Sequence, residues 1–188
     1  MATFRKKFGF NTPVRLSYCH LDKPYANTSF NQEPRYSARI LIPKTDKQTA
    51  KLFKAACAEV YENTKGMDEY EFEELFTAMF RDGDKTAPKG KKYSNECHGC
   101  WVIGNAWNSR RPVYQYKDGT EMLDPSDELY SGSWAKVGVT IYGYVKAGNV
   151  GFGLGLDVIR KAKDDERLAG GVNVEDYDFT DDDDDDDI

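Results

Sequence analysis

Aromatic and basic side chains alternate along residues 134–146 in a pattern suited to binding. One parity of the run WAKVGVTIYGYVK contains Trp134, Lys136, Tyr142, Tyr144 and Lys146. Because successive side chains of a strand point to opposite faces, these residues would lie together on one face. A single-stranded nucleic acid needs flat rings for its bases, worth about 1–3 kcal/mol each, and cations for its phosphates. The run therefore indicates a nucleic-acid-binding face that requires no particular base sequence.

Other aromatic and basic residues extend this predicted face. Trp101 and Trp107 have the same parity on another predicted strand, so we expect them to share a face. The remaining candidates are cations on strands, in a lysine-rich loop and in an arginine pair: Arg15, Arg39, Lys89, Lys91, Lys92, Arg110 and Arg111. The alternative for any single ring is an ordinary place in the core, because Trp and Tyr are usually well buried.

The other side chains of residues 134–146 predict the element that carries this face. Their opposite parity is largely aliphatic, and a second alternating run with Phe152, Leu154 and Leu156 follows the break at residues 147–149. Two such runs around a Gly-Asn turn predict a β-hairpin. Gly151, Gly153 and Gly155 have the parity opposite to Phe152, so we expect them to allow close approach of the backbone or curvature of the barrel.

The rest of the chain predicts further strands and two helices. Strands are expected at residues 14–20, 35–42, 101–108 and 113–116, and Tyr18 has the parity of Val14 and Leu16 on the first. Helices are expected from Thr45 or Asp46 to about Asn63 and over residues 70–80. The basic residues 1–12 would form a partly ordered arm.

This order of elements predicts a mainly β fold, an OB-fold-like Greek-key barrel with two helices inserted between strands 2 and 3. An α+β sandwich is the alternative. No run of about 18 apolar residues occurs, which argues against a membrane-spanning helix. The N-terminus lacks the apolar segment of a signal peptide, so we expect a cytoplasmic protein.

Residues 175–188 form a strongly acidic segment. They contain ten Asp and Glu side chains and no Lys or Arg, so the net charge of −6 becomes +4 for residues 1–174. Like charges repel and little apolar surface is present, so the segment is expected to stay disordered. We therefore predict one domain, residues 1–174, followed by an acidic tail. Its candidate partner-binding residues are Phe179, Asp181, Asp182, Asp183, Asp184, Asp185, Asp186, Asp187 and Ile188.

Three roles are open for this tail. It could keep the protein soluble, dock into a basic and apolar pocket of a partner, or occupy the basic face of its own chain in place of nucleic acid. As a flexible coil, fourteen residues average about 20 Å from end to end, which reaches across a small domain.

The cysteines give a weak signal for a metal site. Cys97 and Cys100 have the spacing of half a zinc site, but Cys19 and His20 are adjacent on a predicted strand and would point to opposite faces. We expect free thiols and no cofactor. No Ser/His/Asp arrangement or phosphate-binding loop is present, which argues against an enzyme. Turns explain Asp82, Asp84 and Asp118 better than a metal does.

Three stretches of the sequence are similar to a known protein family. SARILIPKTD, RDGD and YSGSWAKVGVTIYGYVKAGNVGFGLGL occur in an order that resembles the phage single-stranded DNA-binding proteins of the T7 type. The similarity spans most of residues 10–188. It implies an OB-fold body that coats replication intermediates in the host cytoplasm. It also implies an acidic tail that recruits replication proteins such as a polymerase, helicase or primase. The resemblance carries these roles onto Trp134, Lys136, Tyr142 and Tyr144, and onto residues 181–188.

Two other interpretations remain open from the residues alone. In the first, the acidic tail is the active part of a protein-interaction or DNA-mimic module, and the aromatic residues belong to the core. In the second, the chain is a zinc-containing protein that processes nucleic acid, with Cys97 and Cys100 as ligands. A homo-oligomer is compatible with each interpretation.

Overall fold

The predicted helices and strands occur in the predicted order along the chain, with one unpredicted short strand at Phe80–Asp82. The structure is a computed structural model that describes residues 3–26, 33–87 and 90–168. Its strands are β1 (Arg5–Tyr25), β2 (Arg35–Pro43), β3 (Phe80–Asp82), β4 (Cys100–Asn108), β5 (Val113–Gln115), β6 (Trp134–Lys146) and β7 (Asn149–Lys163). The helices are α1 (Lys47–Asn63) and α2 (Phe72–Met79), and short 3₁₀ turns occur at Met67–Glu69 and Asn95–Cys97.

Five of these strands close into a barrel. The neighbours are β4, β2, β1, β6 and β7 in that order, and a parallel contact between Trp107 of β4 and Gly155 of β7 completes the ring. The other barrel pairs are antiparallel. Both helices lie between β2 and β4, the second and third barrel strands. The predicted OB-type barrel with a helical insertion is therefore confirmed.

Aliphatic side chains of the hairpin fill the barrel interior as predicted. Ala135, Val137, Val139 and Ile141 of β6 are each at most 2% exposed. Leu154 of β7 is directly opposite Ile141 and is also buried. The side chains on one face of the hairpin are thus buried in the core, and those on its other face lie on the outside of the barrel.

Helix α1 covers one side of the barrel through an aromatic cluster. Its start is capped by Asp46, whose Oδ1 accepts a hydrogen bond from the Thr49 amide at 3.2 Å. Phe53 is fully buried, with its ring centroid 5.4 Å from those of Phe8 and Phe10 and 5.8 Å from that of Phe80. The cluster joins the helical insertion to β1 and β3.

The structure of the N-terminal residues differs from the predicted arm. The partly ordered arm expected at residues 1–12 is wrong for residues 5–10, which belong to β1 and pair antiparallel with β6. Phe10 is buried and Phe8 packs against the core, whereas Lys7 and Gly9 face solvent. The alternation typical of a strand is therefore present in this segment, which forms part of the barrel wall.

A bulge in β1 reverses the predicted orientation of Tyr18. The pairing of β1 with β2 shifts register between Ser17 and His20. Tyr18 is 45% exposed on the outer face, although its parity placed it with the buried Val14 and Leu16. An extra residue in one strand changes which side chains point inward, and a pattern of period 2 cannot show this.

A second register shift separates the two tryptophans of β4. The pairing of β2 with β4 shifts between Ala38 and Ile40, so Ile103 and Ala106 of β4 both reach the core. Trp101 consequently packs against the core, stacked on Phe80 at 5.1 Å, whereas Trp107 lies outside beneath an arginine. The prediction that Trp101 and Trp107 share a face is wrong, because the shift changes the parity between them.

Other predictions can be compared with the structure only for the residues that it describes. Within the described ranges, no helix is long and apolar enough to cross a membrane. The acidic tail, residues 175–188, and Lys89 lie outside the described residues.

Candidate nucleic-acid interface

A concave surface with an aromatic and basic lining lies on the outer face of β1, β2 and β4. It consists of two hollows of about 300 and 470 Å³ that share Tyr18, Arg39 and Gly104, and we call it the groove. Its rings and cations are Tyr18, His20, Tyr25, Tyr93, Arg35, Arg39, Arg81, Lys91 and Lys92. Within the part of the chain that the structure describes, no Asp or Glu lines either hollow. The groove is therefore electropositive.

Arg39 lies at the centre of the groove. Alternation along β2 turns it outward, while Ala38 and Ile40 on either side of it are buried. Its guanidinium lies 4.4 Å from the Tyr18 ring centroid and 5.8 Å from that of Tyr93. Among the described residues no carboxylate pairs with this guanidinium, so its charge is available to a phosphate between two rings that could take bases.

Two more ring contacts extend the groove away from Arg39. The guanidinium of Arg35 lies 3.7 Å from the centroid of Trp107, at the edge of the groove. The rings of His20 and Tyr25 are stacked, with centroids 4.6 Å apart. Burial lowers the pKa of His20 below its ordinary value, so this ring is neutral near pH 7 and offers a face for stacking more than a charge.

Tyr18 has an unusual backbone conformation. Its φ of 47° makes it the one non-glycine residue with positive φ among the described residues. For a residue with a side chain this left-handed conformation costs about 1–2 kcal/mol. Strain of this kind concentrates at functional sites, where the surrounding structure holds the residue in place. Here the strained bulge turns the Tyr18 ring out of the core and against Arg39.

The RDGD sequence fixes the loop that leads to Tyr93 and its neighbours. Lys44 Nζ donates hydrogen bonds to Asp82 Oδ1 at 2.5 Å and to Asp84 Oδ2 at 2.7 Å. Asp84 Oδ1 accepts a further bond from the Gly99 amide at 3.0 Å. The bond from Lys44 lowers the pKa of both carboxyl groups below the ordinary value. These contacts give both aspartates a structural role, as the turn interpretation predicted.

The predicted binding residues are spread over three surfaces. The groove includes Arg39, Lys91 and Lys92, and Trp107 lies at its edge. The other predicted residues lie on the hairpin, at one end of the barrel, in the core or in turns. Arg110 is exposed in the turn after β4.

The outer surface of the hairpin, which we call the hairpin face, carries Tyr142, Tyr144 and Lys146. The Tyr142 ring covers Gly153 so closely that a Cβ there would lie 2.3 Å from it, and Tyr144 covers Gly151 in the same way. The space left by these glycines is therefore filled by tyrosine side chains, whereas the sequence predicts close approach of the backbone or curvature of the barrel. The hairpin face as a nucleic-acid contact stays a prediction.

Trp134 and Lys136 line a separate hollow of about 610 Å³ at one end of the barrel, which we call the end hollow. Lys117, Arg160 and Lys163 also contribute to its wall. It shares no lining residue with the groove. Trp134 and Lys136 lie on the same outward face of β6 as Tyr142 and Tyr144, as predicted, but at the other end of the strand.

Two predicted cations form contacts within the protein. Arg15 Nε donates to the Gly132 carbonyl and its Nη2 to the Glu166 carbonyl, both at 3.0 Å. Arg111 donates through Nη2 to the Leu123 carbonyl. These bonds give both arginines a structural role, and their role in binding stays a prediction.

The cysteines are free thiols in the structure. Burial raises the pKa of the Cys19 thiol to about 12, so it remains protonated and unreactive near neutral pH. Cys97 and Cys100 are buried beside Leu41. No group of three His, Cys, Asp or Glu side chains in the described ranges could hold a metal ion, so Cys19 and His20 do not complete a zinc site with Cys97 and Cys100.

Sequence reasoning missed most of the rings in the groove. No local signal could have found Tyr18, because its parity assigned it to the core. A usable signal existed for Tyr93, which directly follows the lysine-rich loop of residues 85–92. Arg35 lies in the predicted strand 35–42 and Trp107 was a candidate, but only the structure shows that the Arg35 guanidinium lies over the Trp107 ring.

Comparisons with known proteins identify a family and several similar structures. The family described as Enterobacter phage Enc34, ssDNA-binding protein, matches residues 7–188. The single-stranded DNA-binding protein of bacteriophage Enc34 in complex with ssDNA is 29% identical, with a TM-score of 0.71 over 88% of this chain and 89% of that one. A C-terminal truncation of the Enc34 protein is 30% identical, with a TM-score of 0.69 over 87% and 88%.

A more distant structure shares the fold alone. The single-stranded DNA-binding protein gp2.5 of bacteriophage T7 is 16% identical, with a TM-score of 0.55 over 89% of this chain and 97% of that one. No curated protein sequence matches the chain. Because the family match extends over nearly the whole length, the chain belongs to the family of the Enterobacter phage Enc34 ssDNA-binding protein.

Proposed function

We propose that this protein binds single-stranded DNA without sequence preference and acts in phage DNA replication, recombination and repair. The observation that carries the proposal is the groove, in which Arg39 lies between the rings of Tyr18 and Tyr93. The rings supply stacking surfaces and the cations supply phosphate contacts, and neither reads the edge of a base. The protein coats DNA and is not an enzyme.

A titration with matched single- and double-stranded oligonucleotides tests this function. We expect clear preference for the single strand, because a duplex keeps its bases stacked inside and cannot offer them to the rings. Affinity should fall with salt, with a logarithmic slope of about −3.5 if all five groove cations contact phosphates. Equal affinity for the two forms would contradict stacking in the groove.

We also propose that the acidic tail competes with DNA for the groove and, when displaced, engages replication proteins such as a polymerase, helicase or primase. Support comes from the place where the described chain ends. The Leu168 amide donates to the Ser131 carbonyl at 2.8 Å, and Ser131 Oγ accepts from the Cys19 amide at 3.0 Å. Leu168, the last described residue, thus lies beside the strand position next to Tyr18.

Deletion of residues 175–188 is expected to strengthen binding of single-stranded DNA. The deletion removes ten negative charges that repel the DNA and compete for the same cations. The gain should be about tenfold or more at low salt and should shrink as salt screens the tail. A C-terminal truncation of the Enc34 protein gave a solved structure, so a shortened chain is a reasonable reagent.

A matched control separates charge from length in this experiment. A full-length variant in which each of Asp181 to Asp187 is replaced by Asn keeps the tail but removes seven of its charges. It should bind DNA nearly as tightly as the deletion does. If both variants bind as the wild type does, the tail does not compete for the groove.

A further inference from the structure

The end hollow is a second basic and aromatic surface that the groove does not include. Five cations line it together with Trp134, and Lys161 among them pairs with Glu128 and Asp164. Among the described residues the other four form no ion pair: Lys117, Lys136, Arg160 and Lys163. Asp46 also lines the hollow, but its Oδ1 accepts the capping bond of α1. The hollow therefore concentrates positive charge around one ring.

The Trp134 ring is held in a fixed orientation. Its Nε1 donates to Asp165 Oδ2 at 2.8 Å, and Asp165 also lies 3.7 Å from the Arg15 guanidinium. Because this bond uses the one N–H of the indole, the ring offers a ligand its π face and not a donor. Lys163 Nζ lies 4.7 Å from the centroid of the indole ring, so a positive charge is next to the ring. A ring face next to a cation suits a base joined to a phosphate.

The walls of the hollow provide further contacts of the same kind. Pro13 and Pro43 give apolar surface, and Thr12 and Thr45 give hydroxyl donors. Lys163 lines the hollow and Asp165 bonds its Trp134 ring, and the described chain then continues to Leu168, beside Ser131 and Cys19. A base can stack on the indole face, whereas the aspartates of residues 181–187 have no flat ring to place there. The features together favour a nucleic-acid strand as the occupant over the protein's own tail.

We infer that the end hollow is a second contact site for single-stranded DNA, which holds a nucleotide that lies beyond those in the groove. This inference rests on the proposed function. Pro13 and Tyr18 are five residues apart on β1, about 17 Å along a strand. A strand that contacts both surfaces must therefore be longer than one that fills the groove alone, within the range of about 4–16 nucleotides per OB fold.

A length series of oligothymidylates tests the inference on the full-length chain. The test variant is Lys117→Glu with Lys136→Glu, two exposed lysines without ion pairs in the described structure. The control is Lys51→Glu with Lys65→Glu, two exposed lysines on or after α1 that make the same change in charge. Wild type and control should gain affinity as the oligonucleotide lengthens from about 4 to about 16 nucleotides.

We expect the test variant to gain about tenfold less affinity over that range and to lose about 1.4 units of salt slope on the longest oligonucleotide. An equal length dependence in both variants overturns the inference. Failure of even the longest oligonucleotide to bind the wild type would instead contradict the proposed function.

Crosslinking distinguishes the occupants directly. An oligonucleotide with 5-iodouracil at each position in turn should form a photoadduct with Trp134 in the wild type and none in a Trp134→Leu variant. Carbodiimide coupling without DNA reports where the carboxylates of the tail lie. Coupling of residues 181–187 to Lys136 or Lys163, with no adduct at Trp134, would assign the hollow to the tail and overturn the inference.

Discussion

A double variant, Tyr18→Asn with Tyr93→Ala, is expected to lose about 1–3 kcal/mol of binding free energy for single-stranded DNA per ring removed, 2–6 in all. Both rings face the Arg39 guanidinium in the groove, at 4.4 and 5.8 Å. Their removal takes away stacking surfaces while the cation remains. Fluorescence anisotropy with a labelled oligonucleotide at fixed salt measures the loss.

The same variant should keep the fold. Asn tolerates the left-handed conformation that Tyr18 adopts at φ 47°, so the substitution relieves strain of about 1–2 kcal/mol. The lost contact with Arg39 costs about 0.5–1 kcal/mol. We therefore expect the single variant Tyr18→Asn to have a Tm equal to or above that of the wild type, whereas Tyr93→Ala also loses packing against the cluster around Leu41 and Val102. A lower Tm of the single variant, or an unchanged affinity of the double variant, would contradict the role given to Tyr18.

A second double variant provides the matched comparison. Tyr142→Ala with Tyr144→Ala removes the same number of rings from the hairpin face, which the sequence predicts as a binding surface. These rings rest one face on Gly153 and Gly151, so we expect them to contribute less than the groove rings do. A larger loss in the hairpin variant than in the groove variant would place the main path of the strand on the hairpin.

Replacement of Phe53 with Ala is expected to lower the free energy of unfolding by about 3–5 kcal/mol. The side chain is fully buried among Phe8, Phe10, Phe76 and Phe80, with ring centroids 5.4–6.2 Å from its own. Its removal leaves a cavity between α1 and the barrel that these rigid rings cannot fill. Urea unfolding followed by circular dichroism measures the loss.

The neighbouring residue is the control for this prediction. Leu52 is 51% exposed on the same helix, so Leu52→Ala should change the free energy of unfolding by no more than about 0.5 kcal/mol. Similar losses for both variants would mean that helix propensity, not the aromatic cluster, determines how α1 stabilises the barrel.

The fold could be predicted from the sequence because the hydrophobic periodicity of each segment and the order of the segments are visible in it. The aliphatic parity of β6 and the helix from Thr45 or Asp46 to about Asn63 both depend on local pattern, and the structure has them where they were predicted. The barrel topology followed from the order of these elements and from the similarity to a known family.

The site was harder to predict because bulges decide which side chains face outward. One extra residue near Tyr18 and one shift in β4 moved Tyr18 out of the core and separated Trp107 from Trp101. A bulge depends on the partner strand, which no single segment encodes. The groove also joins Tyr18 to Tyr93, 75 positions apart along the chain, and only the closed barrel brings them together.

The short pairing between β4 and β7 determines where the barrel is expected to open locally. These strands meet at one parallel pair, Trp107 with Gly155, whereas β6 and β7 pair along their whole length. Local opening of a closed barrel is expected first where two neighbouring strands share the fewest hydrogen-bonded pairs. That pairing lies beneath Arg35, at the edge of the groove. A ligand bound across Arg35 and Trp107 would stabilise the pairing of β4 with β7. These two strands should therefore separate less often in the bound protein than in the free protein.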